Sequence, residues 1–163
     1  MVFIDGTNLL TEMGKRCSLE FRPDLPPDEI LICAAEIVRR IFHDDRVHPL
    51  RYYWFGSYKG SDKDRDRIAD ALRQRHMDAT LFERRNNKEK GIDIGLTKDM
   101  LVQAFHRNCA RSVLVAGDED YVSLVNEVKR YGQKVEGAFF TNGFSPHLHR
   151  VLDGVHDLDP IAA

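Results

Sequence analysis

Aspartates occupy positions in three separated parts of the chain where they could meet around a metal ion. Asp5 ends the first apolar run, Asp118 and Asp120 follow a second apolar run, and Asp93 lies in the first turn of a predicted helix. Carboxylates that share a small space repel one another unless a cation lies between them. Because oxygen ligands favour Mg²⁺ or Mn²⁺ over zinc, we expect a site for one of these ions. The chemistry that such a site supports is metal-assisted phosphoryl transfer.

Each of these aspartates also has a purely structural explanation. An aspartate after a strand often caps the next helix, which would account for Asp5 or Asp118 taken singly. Asp93 would interact favourably with the helix dipole. The metal-site hypothesis therefore depends on all three segments supplying an acid at the same place, with the polar side chains of Thr7 and Asn8 beside Asp5.

The order of the predicted elements places these acids at one edge of a sheet. Apolar runs rich in β-branched and aromatic residues predict strands at residues 2–4, 50–55, 79–83, 113–116 and 134–140. Amphipathic segments predict helices at residues 26–41, 61–76, 92–107, 121–131 and 145–152, and residues 155–158 form a last strand or a tail. This alternation is typical of an α/β fold with a mainly parallel central sheet. Ligands bind such sheets at the carboxyl ends of the strands, where the aspartates lie.

Three segments are predicted to be turns or loops. Residues 5–8 form a polar turn, and residues 11–24 form a long loop because they mix charges, a glycine and a proline without periodicity. The third segment is a basic loop that leads into the helix of Asp93 and contains Arg84, Arg85, Lys88 and Lys90.

Length and composition narrow the class of protein. The 163 residues predict a single domain. With 24 Lys and Arg against 26 Asp and Glu, the net charge is −2, so any nucleic-acid site must be local. Three cysteines without CxxC spacing argue against a disulfide framework and a zinc site. No run approaches the roughly 20 apolar residues that cross a bilayer, and no leader precedes the first strand. We therefore expect a cytoplasmic protein with no membrane partner.

Aromatic residues and histidines elsewhere in the chain are interpreted as structural. The run from Tyr52 to Phe55 could stack on bases, but a buried strand explains it better. Tyr58, in the predicted loop beyond, is a better stacking candidate. His147 and His149 have no acidic or cysteine partner at ligand spacing, so we interpret them as ordinary surface residues.

The segments that contain the acids resemble a known family. Residues 2–8, 90–101 and 115–121 are similar, in order and spacing, to the three sequence blocks of the NYN domain. This domain is a branch of the PIN-like nuclease superfamily that includes the LabA-like proteins of the DUF88 group. The stretch at residues 137–148 is similar too, and the resemblance covers residues 2 to about 158.

The resemblance implies a fold and an activity. The fold would be a Rossmann-like, PIN-like three-layer α/β sandwich with a mainly parallel central sheet, formed by one domain over residues 1–163. The activity would be that of a ribonuclease that depends on Mg²⁺ or Mn²⁺ and hydrolyses RNA phosphodiester bonds through a metal-activated water.

The same resemblance implies roles for individual residues. Asp5, Asp93 and Asp118 would be metal ligands, and Asp120 would complete the set directly or through water. Asn8 would position the phosphate or a metal-bound water. All five residues are thus candidates for the catalytic site.

RNA, single-stranded or structured, is the partner that this activity requires. Thr7 and the basic residues Arg84, Arg85, Lys88 and Lys90 would bind it, and their phosphate contacts would weaken with salt. The alternative is that the basic loop is only solvated, because neighbouring glutamates dilute its charge. The sequence also leaves a homo-oligomer open.

Two other functions compete with the ribonuclease hypothesis. Asp5-Gly6-Thr7 and Gly117-Asp118 also resemble motifs of the haloacid-dehalogenase phosphatases, but Phe3 stands where their nucleophilic aspartate would be. The second competitor is a catalytically weak or inactive NYN domain that binds RNA or a protein. Intact acids in all three blocks argue against it.

Overall fold

The computed structural model describes residues 1–19, 27–42, 48–84 and 91–162. The strands are β1 (Val2–Asp5), β2 (Tyr52–Tyr58), β3 (Met77–Glu83), β4 (Arg111–Val115), β5 (Lys134–Phe139) and β6 (Gly154–Asp157). The helices are α1 (Gly6–Leu19), α2 (Pro27–Arg40), α3 (Asp62–Arg73), α4 (Ile92–Phe105), α5 (Val122–Arg130), α6 (Pro146–Val151) and α7 (Asp159–Ala162). Short 3₁₀ turns span Glu119–Tyr121 and Thr141–Gly143. In this described part of the chain, no helix is both long and apolar enough to cross a membrane.

The six strands form one parallel sheet in the order β3-β2-β1-β4-β5-β6. Val2 of β1 pairs with Tyr52 on one side and with Val113 on the other, so β1 lies at the centre. The direction in which the chain adds strands reverses between β1 and β4. In open α/β sheets this reversal opens a crevice at the carboxyl ends of the two strands, because their connections leave toward opposite faces.

Helices cover both faces of the sheet. Val2 and Ile4 of β1 point into a cluster that includes residues of α1, α2 and α3, whereas Phe3 between them points into a cluster with α4, α5 and α6. Successive strand residues face opposite sides, so a central strand covered on both sides must be apolar throughout. The three-layer α/β fold that the sequence predicts is therefore confirmed, and every described strand pairing is parallel.

The prediction of a turn and a long loop after β1 is wrong. Helix α1 runs without a break from Gly6 to Leu19, and residues 20–24 of the predicted loop lie outside the described residues. Leu9 and Met13, one helical turn apart, are both buried. The Asp5 side chain accepts a hydrogen bond from the Asn8 backbone N–H at 2.9 Å, which caps the helix start. Burial and capping together outweigh the charges and the glycine that suggested a loop.

Strand β2 also differs from its prediction. The sequence predicts that it ends at Phe55 with Tyr58 in a loop, but the strand continues to Tyr58, which pairs with Glu83 at the end of β3. Gly56 is buried beside the Trp54 indole. The glycine is therefore needed because a side chain would not fit next to the indole, and it does not indicate a turn. The last strand is confirmed because β6 pairs with β5 from Gly154 to Asp157.

Candidate active site

A pocket of about 220 Å³ opens at the carboxyl ends of β1 and β4, at the reversal of strand order. Its lining includes Asp5, Thr7, Asn8, Thr11, Asp93 and Asp118. Three of the four predicted metal ligands thus face one cavity although they come from β1, α4 and the loop after β4. Thr7, a predicted RNA-binding residue, lies there as well, and Thr11 joins it because α1 is a helix and not a loop.

Asp5 is the buried member of this group, with 5% of its surface exposed. Burial raises its pKa; the hydrogen bonds from the Asn8 backbone and the Tyr121 hydroxyl act to lower the pKa, and the charges of Asp93 and Asp118 raise it further. The net direction is upward. A negative charge at this position is therefore less favourable in the metal-free protein than it would be in water.

Tyr121 joins two of the aspartates, and the sequence analysis missed it. Its hydroxyl oxygen lies 2.8 Å from Oδ2 of Asp5 and 3.2 Å from Oδ1 of Asp93. A hydroxyl has one proton, so the two carboxylates share one hydrogen-bond donor. Burial, followed by the charge of Asp5, raises the pKa of Tyr121, and the hydroxyl stays a donor. A signal was present in the sequence. Tyr121 begins the amphipathic pattern of α5 beside acidic residues, and a tyrosine hydroxyl usually finds a hydrogen-bond partner when it is buried.

Asn8 connects the two sides of the crevice. Its Oδ1 accepts a hydrogen bond from the Gly117 backbone N–H at 2.8 Å, so α1 is tied to the loop after β4. Gly117 fits there only as glycine, because an added Cβ would lie 2.1 Å from the Gly143 carbonyl oxygen. The side-chain Oδ1 of Asn8 is thus occupied by a hydrogen bond within the protein. The side-chain amide nitrogen is the group that Asn8 can offer to a ligand.

Asp118 and Asp120 are exposed. Asp118 Oδ1 accepts a hydrogen bond from the Asp120 backbone N–H at 3.1 Å and caps the turn Glu119–Tyr121. Asp118 also lines the pocket, whereas Asp120 is not among the lining residues. Asp118, like Asp5, therefore caps a helical turn and lines the pocket at the same time.

The basic loop is described at its first residue only. Arg84 is exposed after β3, and its backbone N–H donates to the Tyr58 carbonyl oxygen at 2.9 Å. Arg85, Lys88 and Lys90 lie outside the described residues. Their predicted contacts with RNA stay predictions.

The donor set of the pocket suits a hard divalent ion, but it is not a complete cage. Within the described ranges, no three or more His, Cys, Asp or Glu side chains form a group that could hold a metal ion. Asp5 and Asp93 nevertheless share one hydroxyl, and the charges of Asp93 and Asp118 both act on Asp5. Mg²⁺ usually binds through one or two carboxylates, keeping several waters and phosphate oxygens as its other ligands. Asp5, Asp93 and Asp118 fit this requirement of one or two carboxylates.

Comparison with known proteins identifies a family and a fold. The family model of the NYN domain matches residues 1–159. A crystal structure of a protein of unknown function from Vibrio parahaemolyticus is similar, with a TM-score of 0.69 and 20% sequence identity over 98% of this chain and 92% of that chain. At this identity the likeness shows the fold alone. No curated protein matches the sequence.

Proposed function

Because the chain belongs to the NYN domain family, within the PIN-like nuclease superfamily, we propose that it is a ribonuclease that requires Mg²⁺ or Mn²⁺. One observation supports this proposal above the others: Asp5, Asp93 and Asp118 reach a single pocket from three parts of the chain. Repulsion among them, together with the burial of Asp5, makes a cation the natural occupant.

PIN-like nucleases typically use divalent metals, and here Asp5, Asp93 and Asp118 would supply the carboxylates, one or two of them bound directly to the ion and the rest through water. Asp120, two residues beyond the cap Asp118, would contribute through water. When bound, the ion would activate a water and stabilise the leaving oxygen of the phosphodiester.

The chain's own residues would position the substrate. Asn8 and Thr7 line the pocket, and the Asn8 side-chain amide nitrogen and the Thr7 hydroxyl would donate to the phosphate oxygens. Asn8 is oriented by its bond to Gly117, so little conformational freedom is lost when it binds phosphate. Tyr121 would keep the Asp5 and Asp93 carboxylates at a fixed separation.

The basic loop supports RNA as the substrate. Residues 84–90 connect β3 to the start of α4, where Gly91, Ile92 and Asp93 form part of the pocket wall. Arg84, Arg85, Lys88 and Lys90 would thus contact phosphates of a strand entering the pocket. Such contacts predict that binding weakens steeply as salt is raised.

The proposal is tested with end-labelled single-stranded RNA and protein freed of metal with EDTA. Added Mn²⁺ should restore cleavage, and Asp118→Asn should lower the rate at least about 100-fold. Asp62→Asn, which changes an exposed aspartate at the start of α3, is the matched control and should cleave like wild type. Cleavage that Asp118→Asn leaves intact would mean that another site, or another protein, is responsible.

Binding without turnover is a second candidate, because the described residues form no three-ligand metal group. In the same assay it predicts that RNA is bound but stays uncut at saturating Mn²⁺. The phosphatase alternative has no such support. Phe3, at the position of the required nucleophile, is fully buried in the core.

A further inference from the structure

A second pocket lies at the same edge of the sheet, beside the carboxyl ends of β5 and β6. Its volume is about 580 Å³, and its lining includes Phe139, Thr141, Phe144, His149, Arg150 and Val155. Sites for small organic ligands usually occupy about 300–1,000 Å³. The aspartate pocket, at about 220 Å³, is smaller than this range. A nucleotide chain bound at this edge would therefore insert a phosphate into the aspartate pocket and need room elsewhere for its bases.

Backbone contacts connect the walls of the two pockets. The Ser145 backbone N–H donates to the Gly117 carbonyl oxygen at 2.8 Å, and the Gly143 carbonyl oxygen packs against Gly117. Gly117 directly precedes Asp118 of the aspartate pocket, whereas Phe144 lies between Gly143 and Ser145 and lines the second pocket. Residues next to the two linings are thus in direct contact with each other.

The lining of the second pocket suits a flat ring with polar edges. Phe139 is buried, whereas Phe144 is partly exposed and Val155 is 38% exposed, so Phe144 and Val155 are the apolar residues of the lining that a ligand can reach. The His149 ring meets the Phe144 ring edge to face, with 5.5 Å between the centroids. Bases of single-stranded RNA are recognised by stacking on such aromatic and imidazole rings.

One arginine of the lining is available to a phosphate. Arg150 is exposed, and no carboxylate of the described residues pairs with it, whereas Arg73 and Arg130 pair with Asp70 and Glu127 on their own helices. The carboxylate in the lining, Asp157, already accepts a hydrogen bond from the Asp159 backbone N–H. The Arg150 guanidinium can therefore bind phosphate oxygens without first leaving another partner.

We propose that the second pocket is a nucleotide subsite for the RNA strand whose phosphodiester enters the aspartate pocket. A base stacks on the exposed His149 ring beside Phe144, and Arg150 contacts a neighbouring phosphate. The inference rests on the proposed ribonuclease function and adds the position at which the strand is held. It also gives a role to a histidine that the sequence suggested was only a surface residue.

Binding is measured first, by fluorescence anisotropy of a fluorescein-labelled eight-nucleotide single-stranded RNA in EDTA, so that no turnover occurs. Arg150→Glu should weaken binding at least tenfold, and His149→Ala about fivefold. Arg130→Glu reverses another exposed positive charge, on α5 and away from this edge, and it should change the dissociation constant less than twofold. Thermal melts check that each variant folds. Equal effects of Arg150→Glu and Arg130→Glu, or no RNA binding by wild type, would overturn the subsite.

Turnover is measured next, on two substrates with Mn²⁺. Bis(p-nitrophenyl) phosphate is a small diester that needs only the aspartate pocket, so Arg150→Glu and His149→Ala should hydrolyse it like wild type. On RNA the same variants should show a raised KM with little change in kcat. A parallel loss on both substrates would show that these residues act on the aspartate pocket and would overturn the subsite. If wild type hydrolyses neither substrate, the ribonuclease proposal fails, while RNA binding lost in Arg150→Glu still supports the subsite.

Discussion

The two sides of the aspartate pocket are built in opposite ways. On the β1–α1 side, Asp5 is buried, and its two oxygens accept hydrogen bonds from Asn8 and Tyr121. On the β4–α5 side, Asp118 is exposed and accepts one backbone hydrogen bond within its own turn. The same residue type at the same kind of strand end thus gives a fixed, desolvated carboxylate in one case and a solvated one in the other. The fixed side should define where an ion binds, and the solvated side should adapt to it.

The first prediction separates these two carboxylates by their effect on stability. Asp5→Asn and Asp118→Asn should each lower RNA cleavage at least about 100-fold, because each removes a charge that faces the ion. In EDTA, however, Asp5→Asn should raise the Tm by about 2–4 °C, since the neutral amide avoids the penalty that raises the Asp5 pKa. The amide can still accept from Asn8 and donate to Tyr121, whose hydroxyl then donates to Asp93.

Asp118→Asn should leave the Tm within about 1 °C of wild type, because asparagine caps a helical turn as well as aspartate does. Calorimetry at neutral pH measures both variants. A Tm change of the same sign and size in both would mean that the two sides of the pocket do not differ as described.

The second prediction breaks the connection between the two sides. Gly117→Ala would place a Cβ 2.1 Å from the Gly143 carbonyl oxygen and 2.4 Å from the Phe139 ring. We expect the free energy of unfolding, measured in urea, to fall by about 2–3 kcal/mol. Gly154→Ala is the matched control, because its Cβ would meet Glu136 at 3.4 Å. A loss below 1 kcal/mol for Gly117→Ala would show that the loop after β4 can move away from Asn8.

The third prediction concerns Tyr121, which connects the buried Asp5 to Asp93. Tyr121→Phe should raise the dissociation constant for Mn²⁺ about tenfold, because hydrogen bonds to ligating carboxylates orient them. The unfolding free energy of the metal-free protein should fall by about 1 kcal/mol.

Electron paramagnetic resonance of the unbound Mn²⁺ measures this affinity without any substrate. Tyr131→Phe, at the exposed end of α5, is the control and should bind Mn²⁺ like wild type. If Tyr121→Phe also binds like wild type, the hydroxyl does not position the carboxylates.

The sequence was sufficient to place the aspartates but not to describe their surroundings. Alternating elements and apolar runs locate the strand ends, so the meeting of Asp5 and Asp118 follows from topology alone. The Tyr121 hydroxyl bridge depends on how α4 and α5 pack on the sheet, and no local pattern encodes that distance. The hydrogen bond between Asn8 and Gly117 joins residues that are 109 positions apart, so no local sequence pattern predicts it either.

Helix α1 shows why local patterns can mislead. Gly14, Lys15 and Arg16 interrupt the apolar spacing, which suggested a loop. Burial of Leu9 and Met13 against the sheet supplies tertiary stabilisation that a periodicity argument does not count. The error mattered for the site, because a loop would not have brought Thr11 to the pocket one turn beyond Thr7.

The fourth prediction has the smallest effect and tests whether α1 is the rigid support of the buried side. Gly14 lies inside this helix, and an added Cβ would meet none of the described atoms within 4 Å. Gly14→Ala should therefore raise the free energy of unfolding by about 0.5–1 kcal/mol in urea denaturation. No gain would indicate that residues 11–19 are not stably helical in solution.

The most direct test of the ribonuclease account is the position of the ion itself. Crystals soaked in Mn²⁺ give an anomalous difference map in which the metal is identified without reference to activity. The account predicts one strong peak in the aspartate pocket, bonded to Asp5 or Asp93 and within reach of Asp118. A protein that cleaves RNA only with Mn²⁺ but holds the ion elsewhere, or shows no peak there at saturating Mn²⁺, would contradict it.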